Sequence, residues 1–241
     1  MADNLRVHIA PVGHEPPERV TTPLINYRAD KAYLVSNLID SKEAAKNVRA
    51  IRATLRTDLA SCEILDVRTD IWNLFSCLET CREIYLAESR SHVYANVSTG
   101  SKIIAIAGML SCMLWGGHPY YAEIDYASNK FKRTDDLPVY KISQPSKELL
   151  HVVSMISKGG GSLTKKELIG TLQSGDHPLI PSYGADASKS APHSRLRAII
   201  KPLEDEWGFV EVRARGRRSE VTLTEQGRSA LRIFGDASQS D

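Results

Sequence analysis

The chain has 241 residues, a length that allows one large domain or two domains of ordinary size. Hydrophobic residues make up 42% of the chain and charged residues 25%, which are the proportions of an ordinary globular protein. The formal net charge is only +2, so the bulk charge indicates neither nucleic-acid nor membrane binding.

Targeting and membrane signals are not evident in the sequence. The N-terminus, MADNLRVHIAPVG, lacks the basic region and apolar core of a signal peptide. The apolar run from Ile103 to Trp115 is shorter than the ~20 residues that a bilayer requires. We therefore predict a cytoplasmic protein without membrane contact, in which Cys62, Cys77, Cys81 and Cys112 are buried thiols.

The first 140 or so residues alternate between predicted strands and helices. Strands are predicted over Leu5–Gly13, Lys31–Asn37, Cys62–Val67, His92–Val97, His118–Tyr126 and Pro138–Ile142. Helices are predicted over Arg19–Tyr27, Lys42–Leu59, Ile71–Ala87 and Ile103–Trp115. This alternation, with nearly continuous apolar strands, predicts a Rossmann-like parallel sheet covered by helices on both faces.

One strand-to-helix junction has unusual composition. The segment Asn96–Lys102 reads NVSTGSK and joins a predicted strand directly to an apolar helix. Gly100 permits close approach to the backbone, Lys102 adds positive charge, and the following helix directs its free N–H groups at the loop, which together favour an anion site. The alternative is a plain turn in which Thr99 or Ser101 caps the helix.

The loop after the first strand, VGHEPPERVTTP, is long and rich in proline, and it ends at the same edge of the predicted sheet. Two unusual loops at one carboxyl edge favour a ligand site there. The first loop lacks Gly-x-Gly-x-x-Gly, and the chain lacks the P-loop and zincin motifs. We therefore predict no nicotinamide, flavin or other cofactor and no bound metal.

The short polar segment Ser143–Lys147 is predicted to separate two domains, 1–143 and 144–241. After it, a helix is predicted over Lys147–Ile156, and a capping box formed by Thr164 and Glu167 opens a second. A third helix begins at Ser190-Ala191-Pro192, with a buried stripe of Leu196, Ile199, Leu203 and Trp207. A hairpin that turns at Gly216 and a last helix, Glu225–Phe234, complete a winged helix-turn-helix.

Basic side chains are concentrated on the third helix and on the hairpin of this predicted domain. Such residue types contact phosphates and base edges of double-stranded DNA. The predicted DNA-binding residues are Lys189, His193, Ser194, Arg197, Lys201, Arg213, Arg215, Arg217 and Arg218. The alternative is a solvated basic hairpin on a dimerisation or protein-docking domain.

Three segments of the chain resemble the CARF (CRISPR-associated Rossmann fold) winged-helix transcriptional regulators of archaea. They are NVSTGSK followed by IIAIAGMLSCMLWG, the loop in RVHIAPVGHEPPERVTTPLI, and the C-terminal LEDEWGFVEVRARGRRSEVTLTEQGRSAL. The resemblance implies a homodimer whose ligand, a cyclic oligoadenylate such as cyclic tetra-adenylate, binds across the two-fold axis. By motif, the implied ligand-binding residues are Val12, Gly13, His14, Glu15, Arg19, Ser98, Thr99, Gly100, Ser101 and Lys102.

The leading functional hypothesis is a homodimeric DNA-binding regulator that is gated by this ligand. An enzymatic alternative is a metal-independent ring nuclease that cleaves the cyclic ligand with Ser101 and Lys102 as participants. A third alternative is a DNA-binding protein whose α/β half serves only as a dimerisation scaffold.

Overall fold

The chain forms two compact units, Met1–Ser143 and Gln144–Asp241. The structure is a computed structural model, and it describes residues 4–39, 41–125, 127–128, 130–174, 178–181, 191–215 and 218–235. Among these residues, no helix combines the length and the apolar character needed to cross a membrane.

The N-terminal unit is a six-stranded sheet with helices between its strands. The strands are β1 (Arg6–Pro11), β2 (Lys31–Asn37), β3 (Glu63–Thr69), β4 (His92–Asn96), β5 (His118–Asp125) and β6 (Lys130–Asp136). The helices are α1 (Glu18–Asn26), α2 (Lys42–Asp58), α3 (Leu74–Ala87) and α4 (Lys102–Trp115). The strand order is β3-β2-β1-β4-β5-β6, and the first five strands are parallel. The predicted α/β fold class is confirmed.

The position of β1 in this order creates the feature that matters for function. The chain moves outward from β1 to β2 and β3 and then returns to the other side of β1 as β4. The loops that follow β1 and β4 therefore diverge at a topological switch point, where α/β sheets form their ligand crevices. All but the first residue of β1 are buried, because neighbouring strands flank it on both sides.

The predicted strand at Pro138–Ile142 is wrong. The sixth strand is Lys130–Asp136, and it returns from β5 as an antiparallel partner. As an edge strand it has one neighbour, so polar side chains suffice: Lys132 and Arg133 lie 2.9 Å and 2.8 Å from the Glu123 carboxylate. The apolar side chains that suggested a strand further on, such as Tyr140, are exposed.

The C-terminal unit is a winged helix domain, as predicted. Its elements are α5 (Lys147–Lys158), β7 (Ser162–Thr164), α6 (Lys165–Gln173), α7 (Ala191–Asp205), β8 (Val210–Arg215), β9 (Arg218–Leu223) and α8 (Glu225–Phe234). The predicted capping box is present, since the Glu167 N–H donates to Thr164 Oγ1 and the Thr164 N–H donates to Glu167 Oε2. The short strand β7, which the sequence did not predict, pairs with β9 to give the sheet order β7-β9-β8.

The buried stripe of α7 differs from the prediction. Leu196, Ile200 and Leu203 are buried, whereas Ile199 is only half-buried. Trp207 is also half-buried, because α7 ends at Asp205 and Trp207 lies beyond the helix.

Candidate functional site

The loops after β1 and β4 are joined to each other at the switch point. Thr99 is buried, and its hydroxyl donates to the carbonyl oxygen of Pro11 at 2.7 Å. A methyl group on Gly13 would lie 3.2 Å from the Cα atom of Gly100. The two loops thus meet backbone to backbone, as their shared position at the carboxyl edge predicted.

Gly100 has the geometry that only glycine adopts easily. Its φ is +79°, and a Cβ atom there would lie 2.8 Å from both Pro11 Cβ and Ile104 Cγ2. Its N–H donates to the Glu15 carboxylate oxygen Oε2 at 3.2 Å. An anionic oxygen therefore already lies against a backbone amide of the NVSTGSK loop.

Ser101 is the N-cap of α4, so the capping interpretation of this turn is correct for Ser101 and not for Thr99. Ser101 Oγ accepts from the Ile104 N–H at 3.1 Å and donates to the carbonyl oxygen of Ile71. The Ser101 side chain is buried, and its single proton is used. Ser98 is half-buried, and its N–H donates to Asn96 Oδ1 at 2.9 Å.

Lys102 is the first residue of α4 and is exposed. Its side chain makes neither an ion pair nor a hydrogen bond with any other residue that the structure describes. Its ammonium group is therefore available to a ligand at the start of this helix.

The loop after β1 is held in place by side chains that the sequence analysis did not select. Asn47 on α2 is buried, and its Nδ2 donates to the carbonyl oxygens of Gly13 at 3.0 Å and Glu15 at 3.1 Å. His14 is exposed, and its Nε2 lies 2.7 Å from the hydroxyl of Ser41. The sequence analysis predicted the helix that carries Asn47 but gave no signal that singled out this residue.

Two further residues depart from or extend the predicted set. Val12 is buried, and its N–H donates to the carbonyl oxygen of Val35 at 2.8 Å, so its side chain belongs to the core. Asn96, at the end of β4, is also buried, and its Nδ2 donates to the carbonyl oxygen of Arg19 at 2.9 Å. Asn96 thereby connects the end of β4 to the first turn of α1.

Arg19 is a buried cation at this same edge. Its side chain is 7% exposed; Nε donates to the carbonyl oxygen of Ala122 at 2.9 Å, and the guanidinium lies 5.3 Å from the ring centroid of Tyr121. Nη2 has no hydrogen-bond partner, and no carboxylate pairs with Arg19 among the described residues. Because Asn96 pairs with Tyr120 in the β4–β5 ladder, Ala122 lies two residues further toward the carboxyl edge. A buried guanidinium without a carboxylate partner is costly unless another group satisfies it.

The predicted DNA-binding residues lie mainly on α7 and the hairpin. His193, Ser194, Arg197 and Lys201 are exposed on α7. Arg215 and Arg218 end and begin the two hairpin strands, while Lys189 and Arg217 lie outside the described residues. Arg213 is exposed, but its Nη2 lies 2.6 Å from Oε2 of Glu211, so its charge is partly neutralised.

A cleft of about 560 Å³ runs beside the exposed face of α7. Its basic lining residues are His193, Arg197 and Lys201, which follow at intervals of four residues along α7, and Lys165 at the start of α6. Its acidic lining residues, Glu204 and Asp205, belong to the last turn of α7. Lys165 was not in the predicted set, although its place directly after the capping residue Thr164 put it at a helix N-terminus.

The chain consists of an α/β domain with paired loops at its switch point followed by a winged helix domain, which is the architecture that the resemblance predicted. Residues 6–126 match the family model described as HFX_2341-like, N-terminal, and residues 148–235 match the DUF6293 C-terminal winged helix domain. The chain belongs to this HFX_2341-like family. It is 22% identical over 232 residues to an uncharacterized protein of Archaeoglobus fulgidus, with 95% of this chain and 98% of the relative covered.

Two similar solved structures are of proteins with bound nucleotides. One is Can2 from Sulfobacillus thermosulfidooxidans in complex with cyclic tetra-adenylate, with 13% identity, 95% of this chain and 64% of that chain covered, and a TM-score of 0.43. The other is Enterococcus italicus Csm6 bound to cyclic hexa-2'-fluoro-hexa-dAMP, with 10% identity, 84% and 55% covered, and a TM-score of 0.45. This chain thus spans less than two thirds of either protein, and these scores are too low to transfer any property from them.

Proposed function

We propose that the chain is a homodimeric DNA-binding regulator that is gated by an anionic nucleotide, of which cyclic tetra-adenylate is the leading candidate. In this proposal residues 1–143 bind the ligand and pair the protomers, and residues 144–241 bind double-stranded DNA. The observation that carries the proposal is the cationic character of the switch point. There, buried Arg19 and exposed Lys102 both lack a carboxylate partner among the described residues.

A cyclic oligonucleotide suits such a site physically. Its phosphates match isolated cations beside a helix N-terminus, and its symmetry matches two copies of one loop pair. The family resemblance of NVSTGSK and of the first loop supports the same ligand class.

Exposed apolar side chains near the site support dimerisation of this unit. Trp72 is 68% exposed and follows Ile71, whose carbonyl oxygen accepts from Ser101 at the start of α4. Ile106 is 49% exposed and lies one helical turn after Lys102, on the same face of α4. We refer to these two side chains as the Trp72–Ile106 patch. Its burial against a second copy would bring two Lys102 side chains toward a common axis.

The structure gives weaker support to the ring-nuclease alternative with Ser101 as a participant. The Ser101 hydroxyl is buried, and it donates to Ile71 while accepting from Ile104. The single proton of this hydroxyl is already donated to Ile71, and Ile104 engages one of the two oxygen lone pairs, so the side chain is held in a capping role.

For the winged helix, the cleft beside α7 supports DNA binding through His193, Arg197, Lys201 and Lys165. The acidic lining residues, Glu204 and Asp205, come from the last turn of α7. Regulation then follows if ligand binding changes the spacing of two such domains and hence their fit to paired half-sites.

The deciding experiment measures DNA binding with and without cyclic tetra-adenylate. Duplexes recovered by selection from a random pool are titrated with the full-length protein by fluorescence anisotropy. A ligand-dependent change in DNA affinity is expected, with the ligand recovered intact. Linear product would instead support the nuclease, and DNA binding that the nucleotide does not alter, together with no nucleotide binding in calorimetry, would favour the scaffold.

Lys102→Ala tests the ligand site itself. We expect nucleotide affinity to fall by about 1.5–3 kcal/mol, which is the range for charge-assisted contacts, with little change in melting temperature. Lys165→Ala is the matched control, because Lys165 is also the first helical residue after a capping residue but belongs to the other unit. Equal nucleotide binding by wild type and Lys102→Ala would place the ligand elsewhere.

A further inference from the structure

Glu15 has an unexpected position in the candidate ligand site. Its carboxylate was grouped with the ligand-binding residues, yet Oε2 accepts the Gly100 N–H at 3.2 Å. A Cβ atom on Gly13 would lie 2.6 Å from this same oxygen, so the loop leaves room for the carboxylate only because residue 13 is glycine. The backbone of Glu15 is fixed by Asn47, whose Nδ2 donates to the Glu15 carbonyl oxygen at 3.1 Å.

The choice of partner by Glu15 is informative. Arg19, a buried guanidinium with an unpartnered Nη2, is only four residues away in the chain and has no carboxylate partner among the described residues. The carboxylate of Glu15 nevertheless lies on a backbone amide. The switch point therefore holds two groups of interest. One is the buried Arg19 guanidinium with its unpartnered Nη2, and the other is the Glu15 carboxylate, which accepts the Gly100 N–H.

A carboxylate oxygen on that amide is chemically equivalent to a phosphate oxygen. Both are anionic acceptors, and one N–H donates a strong hydrogen bond to one of them at a time. A carboxylate and a phosphate beside the same amide also repel each other, more strongly in a partly buried site than in water.

We propose that Glu15 is an internal competitor of the ligand: its carboxylate must leave the Gly100 amide before a phosphate of the nucleotide can bind there. The proposal rests on the proposed function, since it concerns regulation of the same site. Glu15 thus raises the ligand concentration at which the regulator responds. Its displacement breaks the hydrogen bond between the loop after β1, which Asn47 holds to α2, and the loop after β4, which Thr99 holds to Pro11. Ligand binding is thereby coupled to the contact between the two loops at a single hydrogen bond.

The test compares Glu15→Gln with Glu18→Gln by calorimetric titration of the full-length protein with cyclic tetra-adenylate. Both variants remove one negative charge from the same segment, but Glu18 is exposed at the start of α1 and makes no hydrogen bond with Gly100. We expect Glu15→Gln to bind about five- to fiftyfold more tightly than wild type, because the neutral Gln amide oxygen is a weaker competing acceptor and the repulsion between two anions is lost. Glu18→Gln should change the affinity by less than about twofold, since exposed charges are screened.

A third variant separates contact from charge. Glu15→Asp keeps the charge but shortens the side chain by one methylene, so it should bind more tightly than wild type and less tightly than Glu15→Gln. Weaker or unchanged binding by Glu15→Gln would overturn the proposal, because Glu15 would then be a ligand contact or a bystander. Absence of nucleotide binding by wild type and all variants would instead overturn the proposed function, and this inference with it. Melting temperatures verify that each variant is folded.

Discussion

At the scale of single residues, Gly100 carries the geometric demand of the loop pair. Its positive φ and its close neighbours Pro11 and Ile104 are separate costs for any side chain at this position. Gly116 offers a matched control, because its φ is +83° and a Cβ atom there would meet nothing within 4 Å.

We expect Gly100→Ala to lower the free energy of unfolding by about 2–4 kcal/mol and Gly116→Ala by about 1–2 kcal/mol. The difference between them measures the contact of the β4 loop with Pro11, beyond the strain of the backbone. Urea unfolding of both variants gives the two values. Equal destabilisation would mean that the close neighbours of Gly100 move aside without a measurable loss of stability.

His8 is a second residue with consequences of its own. Its ring is fully buried, stacks on Tyr94 with centroids 4.7 Å apart, and has Nδ1 3.4 Å from the Tyr120 hydroxyl. Burial, assisted by the charge of Arg6 and opposed by that of Asp30, lowers the pKa of His8 to about 3. The folded protein therefore holds this imidazole neutral well below neutral pH.

This pKa predicts acid sensitivity. An unfolded histidine titrates near pH ~6.5, so between that value and about 3 the unfolded chain binds a proton that the folded chain does not. The free energy of unfolding should fall by roughly 1.4 kcal/mol per pH unit over this window as the pH is lowered, and should be independent of His8 above it.

Urea unfolding at pH 7 and pH 5 checks the prediction. The His8→Phe variant keeps an aromatic ring beside Tyr94 but binds no proton, so it should lose about 2 kcal/mol less than wild type between the two pH values. His151→Gln, which removes an exposed histidine of α5, should behave like wild type. An identical pH dependence in His8→Phe would contradict the assignment.

At the scale of elements, α7 has an asymmetric charge distribution. His193, Arg197 and Lys201 line the cleft from successive turns, whereas Glu204 and Asp205 occupy the last turn. The positive end of the helix dipole coincides with the basic part, and both favour phosphates and base edges at that end. We therefore expect the first three turns of α7 to contact DNA.

Two neighbouring arginines on α7 allow a matched comparison. Arg197 lines the cleft, whereas Arg195 is exposed but is not among the cleft's lining residues. Arg197→Ala should cost about 1–3 kcal/mol on the preferred duplex and relax the preference at one base position, and Arg195→Ala should cost less. Both should leave stability within about 0.5 kcal/mol of wild type. Affinity is measured by anisotropy titrations on the selected duplexes. Equal losses of DNA affinity in the two variants would contradict the proposal that α7 recognises base edges.

At the scale of the whole molecule, the proposed dimer links ligand and DNA sites. Each protomer offers one switch-point loop pair and one winged helix, so two copies are required for a symmetric ligand site and for paired half-sites. The Trp72–Ile106 patch is the feature of the N-terminal unit that supports this pairing.

If the protein forms the proposed dimer, Ile106→Glu should shift it toward monomers and weaken cyclic tetra-adenylate binding. A buried carboxylate in an apolar interface is costly unless it finds a partner. Leu86→Glu is the control, because Leu86 is 53% exposed at the opposite, C-terminal end of α3. Sedimentation velocity over a range of protein concentrations gives the assembly state. A wild-type monomer, or a stable Ile106→Glu dimer, would refute the role of this patch.

The sequence by itself determined the features that depend on a few neighbouring residues. The five parallel strands, the capping box of Thr164 and Glu167, the cap at Ser101 and the winged helix were all predictable, because β-branched runs and capping residues act locally. The switch-point loops were also predictable, since strand-helix alternation implies where the carboxyl ends of parallel strands lie.

Only the tertiary structure decided the contacts between distant residues. The edge strand Lys130–Asp136 is polar and takes its identity from pairing with β5, and β7 exists only because it pairs with β9, about 60 residues further along the chain. The hydrogen bond from Gly100 to Glu15 joins residues 85 positions apart, and Arg19 packs against β5 with its Nε bonded to Ala122 and its Nη2 left without a partner. Such partners are chosen by the way the whole core packs, and no local pattern of residue types records that choice.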